Sequence, residues 1–546
     1  MCGILGGTQK NWNYNKALDS IKHRGPDGQR IVEKNEITMG FARLSIVDLS
    51  EAGMQPMCDD EGKIWITFNG EIYGYDSIRE NLKKKGMKFN NLTDTEVILN
   101  AYKYWGQDFI RYIDGMYAIA IYDSSIHKLL LYRDRVGIKP LYYYYFNNRF
   151  AYCSELKGIT TLLNDVSLKI DKTAIFDYYN YLYIPEPKTA YKHVFKLEAG
   201  SKLIFDVEKK NIIECSRYWY PNVCCDEKSI VRSDYIENAK NLIAESVKKQ
   251  LVADVDVCGF LSGGIDSSVV TDEALKIFPN YKTYAIGFYD YNRNELPYVE
   301  SFERYKGIKT EKYYVKNDEF QSLYKQLKRW YDEPYADTSA YPSFVVSREA
   351  SKKFKVALSG DGGDEVFGGY PKYLEYEKKC NEGMFSDVES ELEFMYEAYL
   401  FRPLPDIYTL RKMLGIPNDY DIFWFYRKHF NKELPPATRW QLMDFCTYLP
   451  GDILTKMDRV SMAVSLEVRV PLLSREIVEY IFSLPQEMRF DHGLKSILKL
   501  AYKNEIPRNL LFRRKAGFSI PDSFFGYGIM PQNRIINDIF DEYIKA

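Results

Sequence analysis

With 546 residues, 46% hydrophobic and 27% charged, the chain exceeds one ordinary core and is expected to form two or more domains. A formal net charge of −2 gives no electrostatic case for nucleic acid or an anionic membrane as a partner. Nine cysteines without C-x-x-C spacing and only five histidines argue against a disulfide framework or a structural zinc site, no apolar run is long enough to span a membrane, and the start lacks signal-peptide regions, so a reduced cytoplasmic protein is expected.

The chain opens Met1-Cys2-Gly3-Ile4-Leu5-Gly6-Gly7. Removal of Met1 would leave Cys2 with a thiol and a free α-amine, whose reference pKa values are about 8.5 and 7.7–8.0. One residue can then supply nucleophile and base. Up to about residue 215, short β-type runs predominate, at 37–42, 64–68, 117–122, 128–132, 141–146 and 202–207. Helical stretches at 77–86 and 95–106 interrupt them, the second with Asp94 as its expected cap. Strands with few helices point to stacked sheets, an α+β domain over 1–215.

Polar residues and paired cysteines over 215–233 read as a linker, and a second domain is expected over 234–546. There, strand-like runs at 255–261, 282–288 and 355–358 alternate with helical periodicity, which predicts a parallel α/β sheet. From about 372 onward the pattern is almost wholly helical.

Two loops of the second half carry chemistry. The first strand runs into Leu261-Ser262-Gly263-Gly264-Ile265-Asp266-Ser267-Ser268, with a helix expected to start near Val269. Backbone N–H groups, serine hydroxyls and the helix end would cradle phosphate. The loop fits neither G-x-x-x-x-G-K-[ST] nor G-x-G-x-x-G. Asp266 would be repelled by phosphate unless a cation intervened, a reason to expect Mg²⁺. The third strand leads into Ser359-Gly360-Asp361-Gly362-Gly363-Asp364-Glu365. Loops after strand C-termini share the crevice of an open α/β sheet, so both could face one nucleotide, with Asp364 as the second metal ligand.

Ser262–Ser268 resembles the PP-loop of ATP pyrophosphatases. Cys2, with Arg24-Gly25-Pro26-Asp27, Arg43-Leu44-Ser45-Ile46-Val47-Asp48 and Asn69-Gly70-Glu71-Ile72-Tyr73, resembles class II glutamine amidotransferases. The ordered set continues through Asp332-Glu333-Pro334 and Thr455-Lys456-Met457-Asp458-Arg459 to Glu467-Val468-Arg469-Val470-Pro471. Over nearly its whole length the chain is similar to the glutamine-hydrolysing asparagine synthetase family.

That resemblance implies an N-terminal nucleophile domain, an αββα sandwich, followed by a PP-loop synthetase domain with a helical C-terminal part. It also implies roles. Cys2 would attack glutamine and release ammonia through a thioester, with Asn69 and the Gly70 N–H as the oxyanion hole. Arg43 would hold the glutamine carboxylate, Glu71 and Asp94 its α-amine, and Leu44, Ile46 and Val47 would complete that site. Leu261, Ser262, Gly263, Gly264, Asp266, Ser267, Ser268, Ile286, Ser359 and Gly360 would bind ATP. Asp266 and Asp364 would hold Mg²⁺, Lys495 would face the phosphates, and Asp361 would serve the adenylated intermediate. Ammonia would travel internally to an acyl-adenylate. The implied partners are glutamine, ATP and aspartate, with no nucleic acid or membrane, and the family suggests a homodimer.

Three positions depart from the family. Gly74 stands where Asn is usual, Ile265 replaces Leu, and Asp361 replaces the Glu of the best-known bacterial enzymes. The Asp form resembles a bacterial branch that includes asparagine synthetases and amidotransferases forming sugar uronamides for surface polysaccharides. The acceptor is therefore left open between aspartate and a uronic acid, and a non-catalytic glutamine or nucleotide sensor stands as a third reading.

Overall fold

The computed structural model describes residues 1–34, 36–223, 234–289, 294–398, 407–513, 520–521 and 524. Residues 224–233 of the expected linker, and parts of the C-terminal helical region, lie outside them.

Among the described residues the N-terminal part holds two six-stranded antiparallel sheets. In spatial order the first runs Val194–Lys196, Tyr142–Phe146, Arg149–Cys153, Gly3–Gly7, Thr38–Arg43 and Gly28–Glu33. The second runs Asn211–Arg217, Ser201–Asp206, Lys128–Arg133, Gly115–Asp123, Ile64–Ile72 and Met57–Cys58. Successive side chains of a strand point to opposite faces, and here both faces are covered. Ala118, Ala120 and Tyr122 join Ile4, Met39 and Phe41 between the sheets. Tyr117, Ile119 and Ile121 meet Ile98, Leu99 and Tyr102 of the helix Asp94–Trp105 instead. On the far side, Leu5, Ala42 and Cys153 pack on Leu18 and Ile159 from the helices Tyr14–Ser20 and Leu156–Leu162. The outcome is helix, sheet, sheet, helix, the expected αββα sandwich. Burial on both faces explains why 115–122 reads as a continuous apolar run rather than an alternating one.

The helix Asp94–Trp105 departs from expectation at its start. Thr93 is the cap and its hydroxyl accepts from Glu96 N. Asp94 is thereby released for another task. Gly74 adopts the left-handed conformation at φ 64° and caps the helix Tyr75–Lys84 without a side-chain hydrogen bond, so glycine supplies the turn that asparagine would have supplied with an added acceptor.

The C-terminal part is built on a parallel sheet, ordered Thr310–Val315, Lys282–Phe288, Val257–Phe260, Val356–Leu358 and Glu467–Arg469. Among the described residues beyond 372, read as almost wholly helical, Glu467–Arg469 is the strand. Glu467–Arg469 pairs in parallel with Val356–Leu358, and three residues are too few to leave a period-2 signal. Val257–Phe260 and Val356–Leu358 are neighbours, Cys258 opposite Ala357, so the two glycine loops leave the same end of the sheet side by side. The helix after the first loop is Ile265–Ile277 with Gly264 as its cap, four residues ahead of the expected start. Ser267 and Ser268 belong to its first turn rather than to the loop.

Candidate functional site

Cys2 precedes the strand Gly3–Gly7, and its backbone N donates to Asn69 Oδ1 at 2.9 Å. On loss of Met1 this nitrogen becomes the α-amine, already held by a neutral acceptor. The thiol lies 3.9 Å from the Leu44 carbonyl, and burial pushes its pKa up despite the nearby terminal ammonium and Arg43. Its surroundings do not ionise the thiol, so it needs a base.

Asn69 sits in mid-strand in Ile64–Ile72, fully buried. With Oδ1 spent on Cys2, its Nδ2 has no hydrogen-bond partner among the described residues. A buried amide donor without an acceptor costs roughly 1–3 kcal/mol, a cost that a developing oxyanion beside Cys2 would relieve. At Gly70 an added Cβ would lie 2.0 Å from the Met116 carbonyl. Only glycine lets that N–H sit so close to the next strand.

Arg43 is buried and its guanidinium is steered by backbone carbonyls, Ser50 O at 2.6 Å and Asp48 O. A Cβ at Gly53 would lie 2.2 Å from Arg43 Nη2. Among the described residues Arg43 makes no ion pair, so a buried cation is oriented but not neutralised. It shares a cavity with Glu71 and Asp94. Asp94 accepts from Ile72 N at 3.1 Å, and burial pushes its pKa up to about 6 against those backbone donors. Burial and Asp94 also hold Glu71 well above its usual range, and Arg469 offsets this only in part, at 3.4 Å. A cation and two carboxylates lining one cavity match the charges of an α-amino acid. Leu44, Ile46 and Val47 line the cavity too.

Three contributors lay outside the expected site. Glu467, from the short parallel strand, receives the Met1 ammonium, and its pKa is lowered to about 2 by that charge and by Arg469. Arg469 also reaches Glu71, while its carbonyl accepts from Ser359 N at 2.9 Å in the acidic loop. Arg24, wholly buried, donates from Nε to the Cys2 carbonyl at 3.2 Å. All three stand in motifs singled out from the sequence, but nothing in their spacing shows that the C-terminal part helps build the cysteine site.

In the C-terminal part the two glycine loops interlock. A Cβ on Gly360 would lie 2.7 Å from Ser267 N, and one on Gly363 2.6 Å from Asp266 Cγ. Gly263 turns at φ +69°, and Ser267 Oγ stitches the first loop to Ser262 Oγ at 3.0 Å and to Gly264 O at 3.2 Å. Ser268, in the first turn of the helix, is fully buried, its hydroxyl without a partner among the described residues. Leu261 directly follows the strand Val257–Phe260, and its N–H donates to Tyr284 O at 2.9 Å on the neighbouring strand Lys282–Phe288, which also holds Ile286. Ser359 Oγ donates to Asp361 Oδ2 at 2.7 Å, which draws that carboxylate back onto its own loop.

The two expected metal ligands do converge, and Lys495 stands between them. Its ammonium contacts Asp364 Oδ1 at 2.6 Å and Asp266 Oδ2. Both partners raise its pKa, so it stays charged despite burial. Lys495 sits at φ 54° as the cap of the helix Ser496–Ala501, an uncommon conformation for a long side chain. A Cβ on Gly369 would lie 1.9 Å from Asp364 Oδ1 and 2.3 Å from Lys495 Cε, so this triad requires glycine there. Two hard oxygen donors fit Mg²⁺, which takes one or two carboxylates and completes its shell with phosphates and water. Among the described residues no group of three or more His, Cys, Asp or Glu could hold a metal.

Comparison with known proteins matches residues 1–219 to a glutamine amidotransferase domain and residues 238–542 to asparagine synthase. Glutamine-hydrolysing asparagine synthetase 1 of Bacillus subtilis is 33% identical over 95% of this chain and 87% of its own length. Asparagine synthetase 3 of the same organism is 29% identical over 95% and 87%. Among solved structures, the glutamine phosphoribosylpyrophosphate amidotransferase of B. subtilis aligns at a TM-score of 0.31 with 14% identity, covering 66% of this chain and 81% of that one.

Proposed function

The chain belongs to the asparagine synthase family, its N-terminal part matching a glutamine amidotransferase domain, and from that premise we propose that it transfers the amide nitrogen of glutamine to a carboxylate activated by ATP, with aspartate as the acceptor and asparagine, glutamate, AMP and pyrophosphate as products. The observation that carries this reading is the cysteine cavity. Arg43, which makes no ion pair among the described residues, the Glu71–Asp94 pair, and Asn69 Nδ2, which has no hydrogen-bond partner among them, lie around one thiol, which suits an α-amino acid bearing a side-chain amide.

The chemistry follows from these groups. With Met1 removed, the Cys2 α-amine takes the thiol proton as sulfur attacks the glutamine amide carbon. Asn69 Nδ2 and the Gly70 N–H hold the resulting oxyanion. Collapse breaks the C–N bond, the α-ammonium returns the proton to nitrogen, and NH₃ leaves a thioester that water hydrolyses to glutamate. Lys495 would face the phosphates of ATP as the acceptor carboxylate displaces pyrophosphate. Asp266 and Asp364 would hold Mg²⁺, which supplies charge neutralisation at the phosphates when bound. Ammonia then attacks the acyl carbon and AMP departs.

Asp361 bears on the acceptor. It is one methylene shorter than glutamate and tied to Ser359, which leaves more room beside the adenylate and keeps a carboxylated sugar as the second reading. Purified protein with ATP, Mg²⁺ and glutamine is offered aspartate or a uronic acid in parallel. Pyrophosphate release stimulated by aspartate, with asparagine formed, supports the first reading. Stimulation by the uronic acid alone replaces it with the second, and no stimulation by any carboxylate favours the non-catalytic sensor.

A further inference from the structure

The helix Thr455–Met462 carries the Thr455–Arg459 motif, and nothing above gives that motif a task. Residues two apart on a helix lie about 200° apart around its axis, so Lys456 and Asp458 occupy nearly opposite faces. Lys456 Nζ points to Asp337 Oδ2 at 3.0 Å and Ser339 Oγ at 2.7 Å, within the electrostatic reach of Asp361. Asp458 faces the other way. It receives Arg24 through two parallel bonds, Nη1 at 2.7 Å and Nη2 at 3.0 Å. The third arm of the same guanidinium, Nε, holds the Cys2 carbonyl.

The pair is enclosed. Arg24 is wholly buried and Asp458 is 4% exposed. Glu155 takes a second bond from Arg24 Nη1 at 2.8 Å and is shared with His23, Lys157 and Arg459. Arg459 continues to Asp332 at 2.9 Å. A planar guanidinium gripped on two sides has no freedom to rotate, so its remaining N–H is fixed in direction. That N–H ends on the residue bearing the nucleophile.

We propose that Asp458, although it lies in the C-terminal part of the chain, is a positioning residue for the cysteine chemistry, holding Arg24 so that the Cys2 main chain keeps its sulfur and α-amine aligned on glutamine. The inference rests on the proposed glutaminase reaction. The glutamine anchors Arg43, Glu71 and Asp94 do not touch this network, so loss of the grip acts on turnover and not on binding. A misplacement of about 1 Å in such a site costs up to about 100-fold.

The test is Asp458→Asn in the full-length protein, with wild type measured alongside. Glutamate release from glutamine is expected to fall in kcat at least tenfold, with KM for glutamine within twofold. Ammonia-supported amide formation and the KM for ATP should also stay within twofold, although Lys456 shares the helix. Arg24→Lys, which keeps the cation but loses the planar fork, should show the same split, and the double variant should lose less than the product of the two effects. If Asp458→Asn does not fold, Asp458→Glu keeps the buried charge while displacing Arg24, and the same split is expected of it. Unchanged glutamine kcat in a folded variant, or a parallel fall in ammonia-supported synthesis, overturns the proposal. Absence of glutaminase activity in wild type with Met1 removed would instead overturn the function on which it rests.

Discussion

Asn69→Asp is the sharpest perturbation of the cysteine site. Asn69 does two things from one buried amide: Oδ1 holds Cys2 N at 2.9 Å, and Nδ2 stands without an acceptor among the described residues. Aspartate keeps the acceptor but replaces the donor with an oxygen that faces the developing oxyanion. Loss of one oxyanion donor costs about 100- to 1,000-fold in kcat, or roughly 2.7–4 kcal/mol, and repulsion places this variant at the severe end. KM for glutamine should change little, because Arg43, Glu71 and Asp94 are intact. Steady-state glutamate release, measured beside ammonia-supported amide formation, reads both halves of the claim. A loss in glutamine turnover below about fivefold would refute the oxyanion assignment. An equal loss with ammonia would show that Asn69 acts through the fold.

The other expectations concern binding, the triad and the nucleophile. Asp94 has its pKa raised to about 6 in the unliganded site, and the α-ammonium of glutamine binds only its ionised form. Protonation of the Cys2 α-amine already lowers kcat/KM for glutamine about tenfold per unit below its own pKa. The profile should therefore steepen below about pH 6 towards about a hundredfold per unit as Asp94 takes a second proton, while an unchanged slope from pH 7 to 5 would remove Asp94 from the anchor. Gly369→Ala drives a methyl into Asp364 and Lys495 and should cut ATP-dependent pyrophosphate release at least roughly tenfold while sparing glutamate release; retained release would show that the triad can open freely. Cys2→Ala should abolish glutamine-supported product and leave ammonia-supported product, measured by amide formation with each donor; loss of both in a folded variant would contradict two separable sites.

Much of this was legible where function sits in short contiguous runs. Cys2, Arg43, Asn69 and the two glycine loops announce themselves because each needs particular residues at adjacent positions. The sandwich was legible because its strands are long enough to show as apolar runs. What escaped is non-local. Glu467 and Arg469 belong to a three-residue strand amid helices, and their partners Met1 and Glu71 lie in the N-terminal part of the chain, Met1 466 residues from Glu467. Asp94 reads as a helix cap by local rules, yet Thr93 takes that task and Asp94 turns to the cavity. Lys495 is named only through the family resemblance, because it carries no local signal of its own. Its left-handed backbone and the methyl-free space at Gly369 exist only once the loops are packed.

The central claim is that one chain moves nitrogen from the cysteine cavity to an ATP-activated carboxylate. Glutamine labelled with ¹⁵N at its amide, supplied with ATP, Mg²⁺, aspartate and an excess of unlabelled ammonium at a pH near 7, tests it directly. The account predicts asparagine carrying ¹⁵N in its side-chain amide, with AMP and pyrophosphate formed in step. Label appearing only in free ammonium, with no labelled amide product, would contradict it.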